Sequence, residues 1–443
     1  GLLTATFLTL FVLPLLYVMF SKIRKPKRKI STTAIIVFAL LSFNAANAQM
    51  PTTKTISVDD AISTALKNNL EMQSQQLNVQ SSITLKKSTF ELPKTNVNFQ
   101  FGQYNSINQD KAFQVSQSIP FPTYFTAKSG LYKAELQSSE FQKQATANEI
   151  KAQVQYWFYQ LQYLQKAKNQ LQSLDILYND FVSAATLRYK TGETNLLEKT
   201  TAETKRGQLS QLLKQNETDF ATAYNSLKTL MNTSEEFTID NNGNFQPLVL
   251  SSSFDTTLLA NNPSLKVLYQ QAVIAEQNKK LETASTLPDF NVGYFNQSLI
   301  GVQNINGADV NFDGSKRFQG FNVDISIPIT FFSNDSKIKS LDYKQQALQK
   351  EADNGKLILQ NQLQNAFQQY NQNLSQYNYY KSTALPNADI IISTAKVGFK
   401  SGDIGYIEYL QALQTATDVQ LSYLQSVNQI NQSIININFL INK

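Results

Sequence analysis

The chain has no histidine and no cysteine in its 443 residues. Imidazole bases, thiol nucleophiles, disulfides and the commonest soft metal ligands are therefore excluded, and any metal would need oxygen ligands. Catalysis would fall to carboxylates, serines and lysines, and none of these stands at a spacing that pairs a nucleophile with a base. The adjacent acids Asp59 and Asp60 follow Ser57 in ISVDDAISTALKNNLEM, a pattern that fits a helix N-terminus rather than an acid and base pair. Tyr379, Tyr380 and Trp157 invite ligand stacking, but aromatic residues in long periodic segments serve packing or an interfacial girdle. The residue chemistry predicts no catalytic site, no cofactor and no metal site, so function must lie in the elements themselves.

A basic run, Lys22, Arg24, Lys25, Lys27, Arg28 and Lys29, carries much of the net charge of +6, and without it the chain is near neutral. Nucleic-acid binding thus loses its main support. The run lies between two apolar segments. The first, up to about Phe20, approaches the roughly 20 residues that cross a bilayer, and the second, Ala34 to Phe43, ends in Ala46-Asn47-Ala48 before Gln49. Small residues there match a signal-peptidase site between Ala48 and Gln49, and positive residues stay cytoplasmic. The expected order is a transmembrane helix and basic cytoplasmic linker over 1–30, a signal-like segment over 31–48, and a mature part that is led outward. Two helices of one buried core would be the competing reading, but it would bury the basic block among apolar residues.

The mature part reads as two copies of one unit, 49–240 and 241–443. Asn68-Asn69-Leu70 to Leu92-Pro93 answers Asn261-Asn262-Pro263 to Leu287-Pro288, and Ile119-Pro120 answers Ile327-Pro328. Tyr189-Lys190-Thr191-Gly192-Glu193 answers Phe399-Lys400-Ser401-Gly402-Asp403, and Leu197-Glu198 answers Ile407-Glu408. Each unit predicts helix, strand, strand, very long helix, tight turn and long helix. Ile150, Val154, Trp157, Leu161 and Leu164 step by four and three, a coiled-coil seam that shifts to Ala167, Leu171, Leu174 and Tyr178 and should overwind there. Absence of proline from about Leu131 to Lys190 allows a helix on the order of 90 Å, returning from Asn195 to Met231. Such helices must pack on one another or on other subunits. In the second copy Pro386 interrupts the long helix, which predicts a kink or restart because periodicity resumes at Ile391, Ala395 and Val397.

Four strands show period-two alternation. Val97, Phe99 and Phe101 alternate with Asn96, Asn98 and Gln100; Phe113 and Val115 with Gln114 and Ser116; Phe321, Val323, Ile325 and Ile327 with Asn322, Asp324 and Ser326; the remaining strand is DFNVGYF. A strand pair on a helical layer would alternate too, as would an outer-membrane barrel with an apolar lipid face. With a signal-like segment upstream the barrel is favoured, and four strands cannot close one when exposed edges are forbidden in lipid. Several subunits must then share it. The expected class is mixed α and β, mostly α.

From about Ser57 to the C-terminus the chain resembles the outer-membrane factor (TolC) family. The resemblance is carried by ISVDDAISTALKNNLEM, the repeated SIP strand ends, LRYKTGETNLLEKTTAET and LPNADIIISTAKVGFKSGDIGYIEYLQAL. It implies a two-repeat efflux fold: a homotrimer whose subunits each give four strands to a twelve-stranded outer-membrane barrel, continued by a long helical periplasmic barrel. It also implies docking of a periplasmic membrane-fusion adaptor at two hairpin tips, here Tyr189, Thr191, Gly192, Glu193, Phe399, Ser401, Gly402 and Asp403, and an inner-membrane pump behind it. A periplasmic gate falls by position on Glu408 with Glu198 as its first-copy counterpart, although Gln411 is neutral where some relatives carry a second acid. The opening LLTATFLTLFVLPLLYVMF resembles the last transmembrane helix of resistance-nodulation-division permeases of the heavy-metal (copper/silver cation efflux) branch. That implies a permease preceding its own duct in a longer chain; a misjoined or truncated reading frame is the other reading. Three functions follow: a conduit for metal ions or small toxic compounds, a type I secretion duct, or a periplasmic coiled-coil scaffold without a pore, whose strands would stay out of the membrane.

Overall fold

Several helix starts in this chain are set by short polar side chains that satisfy the first free backbone N–H groups, and the computed structural model shows such caps in both repeats. It describes residues 54–240, 245–329 and 331–443. The expected segments 1–30 and 31–48 and the cleavage site at Ala48 and Gln49 lie outside the described residues. Thr55–Lys443 form one compact unit.

The first repeat opens with β1 (Lys54–Ile56) and α1 (Val58–Asn68). Ser57 caps α1: its hydroxyl accepts from the Asp60 N–H at 3.1 Å while the Asp60 carboxylate accepts from the Ser57 N–H at 3.1 Å. The acidic pair is thus a capping feature, with Asp60 as its working member. After α2 (Leu70–Lys86) come β2 (Asn96–Gly102) and β3 (Asp110–Ile119), then α3 (Pro122–Lys190) and α4 (Leu196–Met231), closed by β4 (Phe237–Ile239). Helix α3 begins at Pro122, upstream of the expected Leu131, because proline in the first turn loses no hydrogen bond. Its 69 residues span about 100 Å. The buried seam of α3 uses Phe158 where Trp157 was expected, and then takes steps of three through Leu161, Leu164 and Ala167. Trp157 turns to the flank and meets Tyr156 edge-on at 4.9 Å.

The second repeat repeats the plan with three changes. A 3₁₀ turn (Thr256–Asn261) stands where the first copy has α1, followed by α5 (Pro263–Ser285). Between β5 (Asp289–Ser298) and β8 (Arg317–Ser326) an extra hairpin, β6 (Gly301–Ile305) and β7 (Ala308–Phe312), is inserted. It accounts for the growth in repeat offset from 195 at Pro93 and Pro288 to 208 at Pro120 and Pro328. The long helix is divided into α6 (Phe331–Tyr379), a π turn (Tyr380–Ala384) and α7 (Leu385–Ser401), before α8 (Tyr406–Ile441). Pro386 sits in the first turn of α7, so the restart expected from sequence is made through one widened turn that absorbs the missing N–H.

The four alternating strands pair antiparallel in the order β2-β3-β5-β8. Phe99 faces Phe113, Val115 faces Tyr294 and Val292 faces Val323, so most of the apolar residues of the four strands share one face, with Ala112, Phe295 and Phe318 on the other. Below the sheet the helices form a single layer. α2, α3, α5 and α6 make its upper half, and α4, α3, α8 and α6 with α7 its lower half. A collar of β1, β4, α1 and the 3₁₀ turn covers one face at mid-height. Ala61 and Ala65 pack there on Ile150, Val154 and Phe158, and Leu259 on Leu363, Ile437 and Ile441. Among the described residues no helix is long and apolar enough to cross a membrane.

One asparagine does the same double duty in each repeat. Asn69 caps α2 through the Glu71 N–H at 2.9 Å and donates to the Leu230 carbonyl at 3.1 Å. Asn262, 2% exposed, caps α5 through the Leu265 N–H at 3.1 Å and donates to the Leu440 carbonyl at 2.9 Å. Removing it leaves a buried N–H and a buried C=O unpaired. Asn262→Ala is expected to cost about 1–3 kcal/mol, seen as a lower denaturant midpoint in detergent, and Asn262→Asp, which keeps the cap acceptor but turns a carboxylate oxygen toward the Leu440 carbonyl, should also lower it.

Candidate functional site

The two helical hairpins end in turns of one geometry. Gly192 (φ +79°) and Gly402 (φ +83°) occupy the left-handed region that L side chains avoid. At the first tip the Gly192 N–H bonds the Tyr189 carbonyl at 3.2 Å and the Glu193 N–H bonds the Arg188 carbonyl at 2.8 Å. At the second the Asp403 N–H reaches the Gly398 carbonyl at 2.9 Å. Side chains reinforce both turns. The Thr191 hydroxyl donates to the Arg188 carbonyl at 3.0 Å, and Ser401 donates to the Asp403 carboxylate at 2.6 Å. Lys199 lies over the Tyr189 ring at 5.5 Å, and Glu193 pairs loosely with Arg188 at 3.9 Å. Every tip residue expected from sequence therefore lies at the far end of a hairpin.

The two acids are placed alike. Glu408 accepts from the Gly405 N–H at 2.8 Å at the start of α8. Glu198 accepts from the Thr194 hydroxyl at the start of α4, where its own N–H is capped by Asn195 at 3.0 Å. Both carboxylates thus sit at the positive end of a helix dipole, in the first turn after a tip.

What joins the two tips is an aromatic cluster that the sequence reading missed. Phe181 of α3 stacks on Tyr406 at 4.3 Å and lies 5.4 Å from Tyr409, while Phe399 stacks on Tyr409 at 4.7 Å. The Tyr406 ring is buried and its hydroxyl has no partner among the described residues. Burial, with the nearby Glu198 charge, pushes its phenol well above the usual range against an opposing effect of Arg188. The available signal was Phe181 continuing the seam after Tyr178, with Tyr406 and Tyr409 one turn apart opposite it.

At the other end, the sheet exposes its apolar face. Phe101 is 73% exposed on β2 and Phe321 is 81% exposed on β8. The opposite face is mainly polar, its apolar members being Ala112, Phe318 and the Phe295 ring, which lies over Gly320, where an added Cβ would come within 2.8 Å of it. At the sheet margin the fully buried Asp110 accepts from Ser106 at 2.8 Å, Ser298 at 2.9 Å and the Ile300 N–H at 3.0 Å, tying the strands of the two repeats together. Among the described residues no group of three or more His, Cys, Asp or Glu side chains is placed to hold a metal ion.

Residues 256–443, the second repeat, match the family described as outer membrane efflux protein. No curated protein matches the chain. The fold is shared with solved structures at low identity. A membrane protein from Pseudomonas aeruginosa superposes with a TM-score of 0.72 at 12% identity, covering 87% of this chain and 92% of the other. The channel-forming protein CusC gives 0.72 at 15%, covering 88% and 93%. The outer membrane protein VceC from Vibrio cholerae gives 0.70 at 13%, covering 87% and 95%.

Replacing Phe181 with alanine removes the aromatic ring through which α3 meets Tyr406 and Tyr409 of α8 near the tips. Phe181→Ala is expected to cost about 3 kcal/mol and to speed limited proteolysis near Gly192 and Gly402, leaving the sheet end unchanged.

Proposed function

We propose that the chain is one subunit of a trimeric outer-membrane channel, a passive conduit that exports metal ions or small toxic compounds across the periplasm and the outer membrane. The observation that carries this reading is the four-stranded sheet whose edges, β2 and β8, are open and whose one face is apolar and exposed. Open edges and an apolar face are tolerable in lipid only if copies join edge to edge. Three copies give a twelve-stranded barrel with lipid against Val97, Phe99, Phe321 and Val323, and their layered helices continue it as a periplasmic tunnel.

The tips are the docking surface for a periplasmic membrane-fusion adaptor, which links the channel to an inner-membrane resistance-nodulation-division pump. Repetition of exposed apolar residues supports this: Leu187 and Leu197 on the first hairpin correspond to Val397 and Ile407 on the second, and all four are more than half exposed. Thr191, Gly192, Glu193, Ser401, Gly402 and Asp403 shape the turns between them. Glu408, with Glu198 as its first-repeat counterpart, forms the periplasmic gate, where three like charges around an axis attract cations and repel one another.

Purified protein in planar bilayers should give a small single-channel conductance that rises in Glu408→Ala. Absence of conductance, with the protein recovered as a soluble helical species, would leave the scaffold reading in its place. On the barrel, Val323→Lys should oppose insertion by about 2–4 kcal/mol if it lies near the bilayer midplane, measured by folding into vesicles, while Asn322→Lys on the opposite face should be nearly neutral.

A further inference from the structure

Three helices of the lower layer share a stretch without any charged residue. There is no Asp, Glu, Lys or Arg from Ala152 to Gln165 in α3, from Leu357 to Tyr380 around the end of α6, or from Val419 to Asn442 in α8. In a chain that is 16% charged, gaps of this length at one height mark a distinct zone. They are filled instead by glutamine and asparagine.

Hydrogen bonds confirm that the three stretches lie side by side. Asn373 of α6 donates to Ser433 of α8 at 2.7 Å, Gln432 of α8 donates to the Tyr156 carbonyl of α3 at 3.2 Å, and Asn428 donates to Gln160 at 2.8 Å. The fourth helix, α4, does carry charges at this height: Glu217 pairs with Lys168 at 3.1 Å and Lys228 with Glu236 at 2.5 Å, while Asp219 accepts from the Gln215 amide at 2.8 Å.

The collar identifies the two faces of this zone. On one face the collar packs on Val154, Phe158, Leu363 and Ile437. On the other, three shallow grooves of about 510, 480 and 310 Å³ run in a row between α4 and α3, α3 and α8, and α8 and α6. Exposed Asn225, Gln153, Asn436 and Gln369 lead across them, with Glu149 the charged residue at the margin of the middle groove. A collar of short elements would block a tunnel if it faced inward, so the groove face is the one turned to the lumen.

We infer that this amide belt is the lining of the mid-tunnel and that it passes solutes without selecting them by charge. The inference rests on the channel reading above. Carboxylates or lysines in a narrow passage raise or lower local ion concentration steeply, whereas amides donate and accept hydrogen bonds with no net field. A belt of this kind leaves cargo choice to the pump and keeps electrostatic discrimination at the charged tips.

Because the chain has no cysteine, single reporters can be placed cleanly. Gln153→Cys, Asn225→Cys, Asn436→Cys and Gln369→Cys channels in planar bilayers are treated with cationic trimethylammonium-ethyl and anionic sulfonatoethyl methanethiosulfonates. Both reagents should reduce the current, with relative rates within about threefold of those for a free thiol, against tenfold or more for a site at a potential of a few kT. A strong preference for either reagent, or modification without any effect on current, overturns the amide-belt inference while leaving the channel intact. Lack of current in the unsubstituted protein overturns the channel reading, and the inference falls with it.

Discussion

A helix of 69 residues cannot bury itself. Each turn of α3 offers a narrow apolar stripe, and that stripe must meet a partner along the whole length or be left to water. The rest of the structure answers this one demand. α2 and α5 flank the upper part of α3, α4 and α8 flank the lower part, and the collar covers the middle where Ile150, Val154 and Phe158 turn outward. The core is therefore a chain of separate clusters strung along a layer, with none at a centre.

Duplication makes this arrangement economical. Corresponding residues keep the same physical job in both copies: Asn69 and Asn262 start a helix and hold the end of the returning one, and Gly192 and Gly402 reverse the chain. Where the copies differ, a local cause can be named. Pro386 forbids the unbroken helix that its counterpart repeat has, and the π turn Tyr380–Ala384 is the accommodation. The β6 and β7 hairpin lengthens one strand connection without disturbing the pairing of β5 with β8.

Sequence periodicity and turn chemistry disclosed most of this. Strands were legible because Val97, Phe99 and Phe101 alternate strictly with amides, and hairpin ends because glycine follows a long helix in both copies. Less legible were features decided by contacts between distant segments. Phe158 and Trp157 are apolar neighbours, and the tertiary packing buries Phe158 within the cluster while Trp157 stays partly exposed at its edge. The cluster of Phe181, Phe399, Tyr406 and Tyr409 joins residues far apart in sequence, so local periodicity marks its members as apolar faces but not their meeting. The capping role of Glu408 was hidden for another reason: an acid three residues after Gly405 lacks the serine or threonine that marks the usual capping box.

Amides resolve a conflict built into a wall of this kind. Helices that line water on one face and pack on neighbours at both flanks need side chains that tolerate partial burial, which charges do only when paired. Asn148 reaches the Phe439 carbonyl at 2.9 Å and Asn216 the Leu164 carbonyl at 3.2 Å, so both satisfy main-chain acceptors between helices. A lysine or glutamate at such a position would need a counter-ion within the wall. An apolar residue would pack but would leave the groove face dry. Glutamine and asparagine meet both requirements, which gives the uncharged zone a packing reason as well as a functional one.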